Sequence, residues 1–413
     1  MTVTLEAPAS GVEARTRAAV RSIVEALAEF RPAGERWSGL SEKEGYNWYT
    51  LSHGSAGVAL AMATVGRWLA DERLCAAGRD YLNEAISLIA AQQTGESLYC
   101  GYTGVAMAAS LMAELDGYDA GEAFDAIDEA LARKLDRAQW ATYYDIVYGL
   151  AGMGSYALQR RNAALATRIV RHLRTLAIDR DGGATLLTLP RQVSPIARGP
   201  MAISRDTVPN GFYDLGLAHG VPGVICFLSA LYELDPHAET AALLARLVGW
   251  MRAQRESGGP WPYPSWVTPE GYRQRGKLAW CYGPLGVALA LDRAGRALGR
   301  AEWIAEAAEA TRRCAAAADA FLTVVDEPYF CHGTSGIAML FDLLGRGDAA
   351  SLYREKSLDL VERDLHTLAP SGEDDDLRVY RTSFLSGYAG VALDLAASQG
   401  ASRSWQRILV VKE

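Results

Sequence analysis

Two short stretches of the sequence place sulfur and imidazole just ahead of a glycine. Cys281 lies two residues before Gly283 in "WCYGPLGVALAL", and Cys331 and His332 directly precede Gly333 in "CHGTSGIAML". Thiolate and imidazole are preferred ligands of Zn²⁺, and a catalytic zinc site keeps three protein ligands and one open position. Cys281, Cys331 and His332 are therefore a candidate zinc site. The alternative is that both cysteines are core residues and that His332 bonds a backbone carbonyl group.

A further histidine and an aspartate are also candidate functional residues. His219 lies directly before Gly220, as His332 does before Gly333. An imidazole at this position is either a fourth zinc ligand, a proton carrier with a pKa near neutral, or a histidine of the pocket wall. Asp145, in the apolar stretch "YYDIVYGLAG", is costly to bury without a partner. It therefore either orients His219, acts as a base, or caps a helix.

The glycines that follow these residues belong to a repeat that runs along the whole chain. A G-x-x-G frame followed by small apolar residues occurs seven times, at intervals of 47 to 71 residues. Self-similarity at such a period indicates a repeat architecture with one supersecondary unit per repeat. The first glycines of the seven frames are Gly54, Gly101, Gly149, Gly220, Gly283, Gly333 and Gly387.

Each repeat is predicted to be a pair of helices. In the first copy, residues 57–70 are apolar almost all round, whereas residues 72–91 carry apolar residues at helical spacing on one face. The terminal repeats lack the polar outer face that caps an open solenoid. We therefore predict an all-α fold, a single domain over residues 1–413, in which seven inner helices and their outer partners close into an α/α toroid.

Closure of the ring would bring all seven loops to one end of the barrel. The residue before each first glycine should then point toward the axis, where helix N-termini add partial positive charge. A pocket at that end is the expected functional site, and His53 and Cys100, further round the ring, are expected to be wall residues. The seven residues are His53, Cys100, Tyr148, His219, Tyr282, His332 and Ser386.

Two of the intervals are long enough to hold additional structure. Residues 181–213 contain prolines and β-type runs, which predict a small strand-containing insertion. Residues 256–277 are rich in Pro, Gly and aromatic residues, and loops of this length inside a compact fold are usually functional. Trp261, Tyr263 and Trp266 in this loop either form its packing core or belong to a peptide-binding rim.

The overall composition limits the function. Lys and Arg number 41 and Asp and Glu 49, and the resulting net charge of −8 argues against binding a nucleic-acid backbone. The N-terminal residues lack a signal-peptide pattern and no run is long enough to span a membrane, so we expect a cytoplasmic protein. Its six cysteines are expected to be free of disulfides. The arginines within residues 160–174 either form a solvated helix face or dock an acidic peptide.

Several motifs resemble those of the lanthionine synthetase C-like family. They are "WCYG" at 280–283, "CHG" at 331–333, "GLAHGVPG" at 216–223 and "YDIVYGLAG" at 144–152, together with the sevenfold repeat. The resemblance covers essentially the whole chain. It implies a sevenfold α/α toroid with a central zinc ion. The full-length bacterial members are class I lanthipeptide cyclases of the nisin-cyclase type and carry a small strand-containing insertion, which residues 181–213 would match.

Carried over to this sequence, the resemblance implies that Cys281, Cys331 and His332 ligate Zn²⁺ and that His219 and Asp145 are the acid/base residues. The implied reaction adds peptide cysteine thiols to dehydroalanine or dehydrobutyrine, giving lanthionine or methyllanthionine rings. The implied substrate is a dehydrated precursor peptide. A dehydratase and an exporter are the implied partners, in a complex that is at most peripheral to the membrane.

One substrate-binding position departs from the family pattern. Many relatives carry Arg four residues before the first ligand cysteine, where this chain has Lys277. An ammonium group supplies charge but not a two-pronged hydrogen bond, and Arg275 is the candidate to compensate. Lys277 and Tyr282 are the predicted substrate-binding residues.

Two other functions fit parts of this pattern. Protein prenyltransferases alkylate thiols on a related α/α toroid, but they use an Asp-Cys-His zinc set and a second subunit, which the paired cysteine motifs argue against. Eukaryotic members of the family that bind zinc and glutathione offer the other model, a non-catalytic binding protein. Since this alternative also binds zinc, turnover of a dehydrated peptide separates it from a cyclase.

Overall fold

Helices account for most of the structure. The structure is a computed structural model and describes residues 11–30, 48–118, 121–193, 203–368 and 380–410. The α-helices of these residues are, in chain order, α1 (Gly11–Glu29), α2 (Ser55–Leu69), α3 (Glu72–Ala91), α4 (Tyr102–Leu115), α5 (Asp125–Leu135), α6 (Leu150–Gln159), α7 (Ala163–Leu176), α8 (Val221–Leu234), α9 (Ala238–Ala253), α10 (Pro284–Leu298), α11 (Ala301–Ala316), α12 (Ala318–Leu322), α13 (Thr334–Leu343), α14 (Gly347–Asp364) and α15 (Tyr388–Ser398).

The helices divide into an inner and an outer set. In the described residues, seven helices (α2, α4, α6, α8, α10, α13 and α15) begin directly after the first glycine of a G-x-x-G frame and are buried along most of their length. The outer helix α3 is buried on one face only, and the Asp71 side chain caps it by accepting from the Arg73 N–H at 3.1 Å. The bounds of α2 and α3 agree with the predicted pair at 57–70 and 72–91.

The outer helix of the seventh repeat comes from the start of the chain. Helix α1 packs against the last inner helix, α15, and also against α14 and α2. Arg15 of α1 binds Asp359 and Glu362 of α14 at 2.9 and 2.8 Å. The first and last repeats are therefore joined, and each inner helix packs against the next, including α15 against α2. This closed ring confirms the predicted toroid.

A cycle of backbone hydrogen bonds joins the seven loops that precede the inner helices. In each loop, a residue two or three positions before the first glycine donates its N–H to the carbonyl group of the next loop. The last bond runs from the seventh loop back to the first. Around the cycle the bonds are Ser52 to Tyr99 (3.0 Å), Tyr99 to Val147 (3.2 Å), Ile146 to Ala218 (3.1 Å), Ala218 to Cys281 (3.2 Å), Cys281 to Cys331 (3.3 Å), Cys331 to Leu385 (2.7 Å) and Leu385 to Ser52 (3.0 Å).

The second glycine of the frame allows neighbouring repeats to approach closely. A Cβ atom on Gly336 would lie 2.0 Å from the Phe330 carbonyl oxygen and 2.9 Å from the Trp280 Cβ of the preceding repeat. Gly57 has the same relation to Phe384, whose Cβ lies 2.9 Å away across the junction of the last and first repeats. Real Cβ contacts are not this short, so any larger residue would push the repeats apart.

A small sheet interrupts the helical repeat. Strands β1 (Ile178–Arg180) and β2 (Gly183–Thr185) form one antiparallel pair. Strands β3 (Leu187–Thr188), β4 (Phe212–Asp214), β5 (Trp266–Val267) and β6 (Arg273–Gln274) form an antiparallel sheet in that order. The strand-containing insertion is confirmed, and the second long loop, for which no strands were predicted, supplies β5 and β6. Residues 194–202 of the predicted insertion, 181–213, lie outside the described residues.

The arginines of residues 160–174 form ion pairs within the chain. Arg168 pairs with Asp136 at 2.7 Å and Arg174 with Glu239 at 2.5 Å, which favours a solvated face over an acidic-peptide site for this arginine stretch. All six cysteines are free thiols. Within the described residues, no helix combines the length and hydrophobicity needed to cross a bilayer.

Candidate metal centre and adjoining pocket

Two neighbouring loops of the ring bring the three predicted zinc ligands together. One donor atom from each of Cys281, Cys331 and His332 lies within 4.8 Å of the other two, and Cys331 Sγ is 3.8 Å from His332 Nε2. Ligands of a tetrahedral zinc ion with bond lengths near 2.0–2.3 Å are about 3.6–3.8 Å apart. Two sulfurs and one imidazole at this spacing fit Zn²⁺ with one position left for a further ligand.

The charges within this cluster favour a thiolate. The hydrogen bond from Cys331 holds the pKa of Cys281 well below its usual value, against the effect of burial and with help from the charges of His332 and Lys277. The charge of Cys281 in turn raises the pKa of His332. Cys281 is buried, Cys331 half-buried and His332 exposed, so the cluster is closed on the protein side and accessible through the imidazole.

A tight turn places Lys277 beside the cluster. Gly283 has φ +120°, a conformation that side chains with a Cβ rarely adopt, and a Cβ there would lie 1.8 Å from the Lys277 carbonyl oxygen. The turn between them carries Cys281. The Lys277 side chain lines the cavity described below, whereas Arg275 is exposed and is not one of the described lining residues.

His219 and Asp145 form a hydrogen-bonded pair across two adjacent repeats. His219 Nδ1 is 2.9 Å from Asp145 Oδ2, while Asp145 Oδ1 accepts from the Tyr148 N–H at 2.8 Å. Thr50 and Ser383 make the same turn-capping contact with their hydroxyl groups, at 3.2 and 3.3 Å. Asp145 therefore orients the imidazole, as one of its three interpretations predicted. The predicted helix cap is wrong, because Gly149 is the N-cap residue of α6 and no side chain caps it; Asp145 instead caps the turn that precedes the helix.

The surroundings of His219 favour the imidazolium form. Burial alone would lower its pKa, but the hydrogen bond to Asp145 and the charges of Asp145, Asp214 and Cys281 together raise it to about 9. The ring lies between Tyr148 and Tyr282, with ring centroids at 5.9 and 6.0 Å. His219 is not part of the metal-ligand cluster among the described residues.

Asp214 is a buried carboxylate that the sequence analysis did not single out. It accepts from the Gly216 N–H at 2.6 Å and from the Tyr282 hydroxyl at 3.0 Å, and burial raises its pKa to about 7. The sequence position of Asp214 could have indicated it. Asp214 lies six residues before Gly220, the first glycine of its repeat, and Lys277 and Glu327 lie at the same offset in the next two repeats. This second repeat position therefore also supplies charged groups to the site.

A cavity of about 360 Å³ connects these groups. Its lining combines charged and imidazole side chains with one face of the small sheet, on which Asp214 itself lies. It is lined by Tyr143, Tyr144, Asp145, Tyr148, Thr188, Gln192, Val193, Ile203, Phe212, Asp214, His219, Ser265, Trp266, Lys277, Tyr282 and His332.

Comparisons with known proteins agree with this architecture. The sequence profile of the family described as lanthionine synthetase C-like protein matches residues 46–410. The chain belongs to this family. The solved structure of nisin cyclase shares the fold, with a TM-score of 0.70 and 22% identity over 95% of this chain and 97% of that chain. A search of curated proteins finds no match.

The opposite side of the ring in this lanthionine synthetase C-like chain holds a different group of polar residues. His53 Nε2 is 3.3 Å from Ser386 Oγ, and the His53 ring stacks on Tyr380 at 5.3 Å. Cys100 Sγ is 3.8 Å from Ser52 Oγ. Burial, with a smaller effect of His332, lowers the pKa of His53 to about 4.

The aromatic residues of the long loop have separate roles. Tyr263 is buried and donates its hydroxyl to Glu306 at 2.5 Å, and Trp261 packs edge-on against Phe321. Both hold the loop against the outer helices. Trp266 alone of the three lines the cavity. Trp261 and Tyr263 thus form a packing core, while for Trp266 the peptide-binding rim stays a prediction.

Proposed function

We propose that the chain is a zinc-dependent cyclase that adds peptide cysteine thiols to dehydroalanine or dehydrobutyrine and so closes thioether rings in a lanthipeptide precursor. The observation that carries this proposal is the Cys281–Cys331–His332 cluster at a cavity that also holds the His219–Asp145 pair. Membership of the family and the fold shared with nisin cyclase support it.

The donor set suits an ion that binds a substrate thiol. Cys281, Cys331 and His332 would hold Zn²⁺ and leave one position open. Bound there, Zn²⁺ would keep the substrate thiol deprotonated while its two protein thiolates keep the sulfur nucleophilic.

The remaining chemistry is a proton transfer for which the chain supplies the groups. The attacking sulfur forms a bond to the β-carbon of the dehydro residue, and the electron pair of the double bond moves onto the adjacent carbonyl group as an enolate. The proton lost by the thiol passes to solvent, a proton delivered to the α-carbon completes the thioether, and the donor is reprotonated from solvent, so the addition balances with no net oxidation or reduction. His219, with its pKa near 9, is protonated at neutral pH, and Asp145 holds its Nδ1 so that Nε2 delivers the proton.

Two further residues would position the substrate. Lys277 brings a positive charge to the cavity wall, where it would stabilise negative charge that develops on the carbonyl oxygen. Tyr282 is fixed by its hydrogen bond to Asp214, so its ring presents a rigid surface beside His219. The peptide would lie against this surface.

The cellular setting belongs to the same proposal. The substrate would be a precursor peptide that a dehydratase has already modified, because the addition needs a dehydro residue as acceptor. We place the chain in the cytoplasm, at most peripherally attached to the membrane, in a complex with that dehydratase and an exporter. Co-purification of the three proteins from cells that produce the peptide would support this complex.

The proposed reaction can be followed by counting thiols. Ring closure leaves the peptide mass unchanged but removes one free thiol, so mass spectrometry after alkylation with N-ethylmaleimide reports each ring. Zinc-loaded protein should remove thiols from a dehydrated peptide. Cys281→Ala should lose both zinc and ring formation, because two ligands hold the ion too weakly. Cys314→Ala, which removes a buried thiol from α11, should retain both and is the matched control.

Two results would contradict the proposal. Full ring formation by Cys281→Ala would show that the cluster is not needed. Zinc-loaded protein that binds glutathione but consumes no peptide thiol would favour the non-catalytic alternative, and transfer of an isoprenoid from its diphosphate to a thiol would favour the prenyltransferase-like one.

A further inference from the structure

One face of the small sheet is a wall of the cavity. On β4, Phe212 and Asp214 are two residues apart and so point to the same side. Thr188 pairs with Phe212, and Trp266 pairs with Asp214, so the side chains of all four share that face. All four line the cavity.

The opposite face of the sheet belongs to the main core. Leu187, Tyr213 and Val267 alternate with the cavity-facing residues and pack into the large core cluster. Phe212 and Trp266 instead belong to a separate small cluster with Val193 and Val208. The sheet therefore has a structural face and a face that is turned to the reactive pocket.

The cavity-facing side changes character along its length. Asp214 lies near the reactive groups, because its charge acts on His219 together with those of Asp145 and Cys281. The apolar lining residues Val193, Ile203, Phe212 and Trp266 form one small cluster, in which Phe212 lies two residues from Asp214 on β4 and Trp266 lies across from Asp214 on β5. Phe212 and Trp266 pack edge to face at 5.6 Å, which makes a rigid apolar surface.

Tyr282 contacts both the reactive groups and the small apolar cluster. Its hydroxyl binds Asp214 and its ring lies beside His219, while the same ring packs against the small apolar cluster. From Asp214 to Phe212 is two residues of strand, or about 7 Å. An extended peptide covers this distance in about two residues, and residues two apart point the same way.

We infer that the sheet face formed by Phe212 and Trp266, with Val193 and Ile203, is a subsite for a bulky apolar side chain of the substrate peptide, about two residues from the residue that reacts beside His219. This inference rests on the proposed function. An aliphatic or aromatic side chain would replace water on this surface. A charged side chain would lose its hydration there without gaining a partner.

The test uses zinc-loaded full-length protein and labelled peptides that bind without reacting. Each peptide carries one Cys and an Ala in place of the dehydro residue, with Leu, Asp or Lys two residues from that Ala, on each side in turn. Fluorescence anisotropy should show the Leu peptide binding at least tenfold more tightly than the Asp and Lys peptides on one side. Equal affinities, within twofold on both sides, would overturn the subsite.

A charge placed in the subsite should change the preference. Ile203 is only partly buried, so Ile203→Glu is expected to fold, and it should bind the Lys peptide at least fivefold more tightly than the unaltered protein does. Val267→Ala, on the opposite face of the sheet, should leave the preference for Leu unchanged and is the matched control. An unchanged order of affinities in Ile203→Glu, with unchanged zinc content and melting temperature, would contradict the inference.

Ring formation on the matching dehydrated peptides separates this inference from the proposed function. Rings that form equally fast with Leu, Asp and Lys would remove the subsite and leave the cyclase. A tenfold binding preference for Leu with no thiol consumed would remove the cyclase and leave the subsite.

Discussion

His53 and His219 occupy the same position in their repeats, directly before the first glycine, yet their surroundings have opposite effects. His219 meets the Asp145 carboxylate at 2.9 Å, and its pKa is raised to about 9. His53 meets the Ser386 hydroxyl at 3.3 Å, and its pKa is lowered to about 4, chiefly by burial. The repeat thus sets where an imidazole lies, while the neighbouring repeat sets its charge.

The origin of the difference lies in the preceding repeat. Four residues before the first glycine, the repeat before His219 has Asp145, and the repeat before His53, across the closure of the ring, has Ser383. Both side chains cap the turn by accepting a backbone N–H. A carboxylate has a second oxygen, which in Asp145 reaches the neighbouring imidazole, whereas a serine has one hydroxyl.

The comparison of His219 with His53 is tested most directly by removing each imidazole in turn. His219→Gln should lower the rate of ring formation by about 10²–10⁴-fold, because general acid–base groups contribute that much. His53→Gln should change it by less than about threefold. Both variants should keep stoichiometric zinc, measured by atomic emission. Equal losses in the two variants would show that their different surroundings have no bearing on the reaction.

A second experiment separates the two roles of Asp145. Asp145→Ser keeps a hydroxyl for the turn and loses the partner of His219, so ring formation should fall by about 10- to 100-fold, and the unfolding free energy should fall only by the contribution of the His219–Asp145 pair. Asp145→Ala should show a similar fall in rate and, compared with Asp145→Ser, an additional loss of about 1 kcal/mol in unfolding free energy, the usual net value of a lost hydrogen bond. Rates come from the thiol assay and stabilities from urea unfolding. Ring formation at the normal rate in Asp145→Ser would mean that the carboxylate acts only as a cap.

The smallest expected effect is a difference in how pH changes stability. The pKa of His219 is raised on folding, so its contribution is fully present below pH 6.5 and is lost as the pH rises through about 9. The pKa of His53 is lowered on folding, so the folded state loses stability as the pH falls from 6.5 toward about 4. Each change should amount to roughly 1–3 kcal/mol.

Urea unfolding of zinc-free protein, with a chelator present, measures both changes. The stability difference between the unaltered protein and His219→Gln should shrink between pH 6 and pH 9.5. Between pH 4.5 and pH 7, the unaltered protein should gain stability over His53→Gln. If the stability differences of the two variants from the unaltered protein changed with pH in the same way, the opposite electrostatic effects on His219 and His53 would be contradicted.

The ring itself was predictable because its cause is local and repeated. Small apolar residues after each G-x-x-G frame, with no polar cap at either terminal repeat, leave closure as the way to bury both ends. The role of α1 was not predictable in the same way. An amphipathic pattern shows that a helix covers something apolar, but not that α1 covers the seventh repeat rather than the first.

The residues of the site likewise include some that the sequence predicts and some that it does not. Cys281, Cys331 and His332 stood out because thiols and imidazoles are rare and share a repeat position. Asp214 did not, because carboxylates are common and its partner Tyr282 lies 68 residues further along the chain. The strands β5 and β6 are two residues long, too short to show an alternating pattern, so the apolar wall that Trp266 helps to form emerges only from the fold.

The cycle of backbone hydrogen bonds makes the spacing of the metal donors a property of the entire molecule. Cys281 and Cys331 take part in three of its seven bonds, and the other four bonds close the ring that holds these three in place. A linear repeat array can unfold at one end and stay folded at the other, whereas a closed ring that opens at any one repeat loosens the contacts between all of its repeats. The affinity for the metal ion would then fall when a distant repeat is destabilised, even though no residue of that repeat contacts the ion.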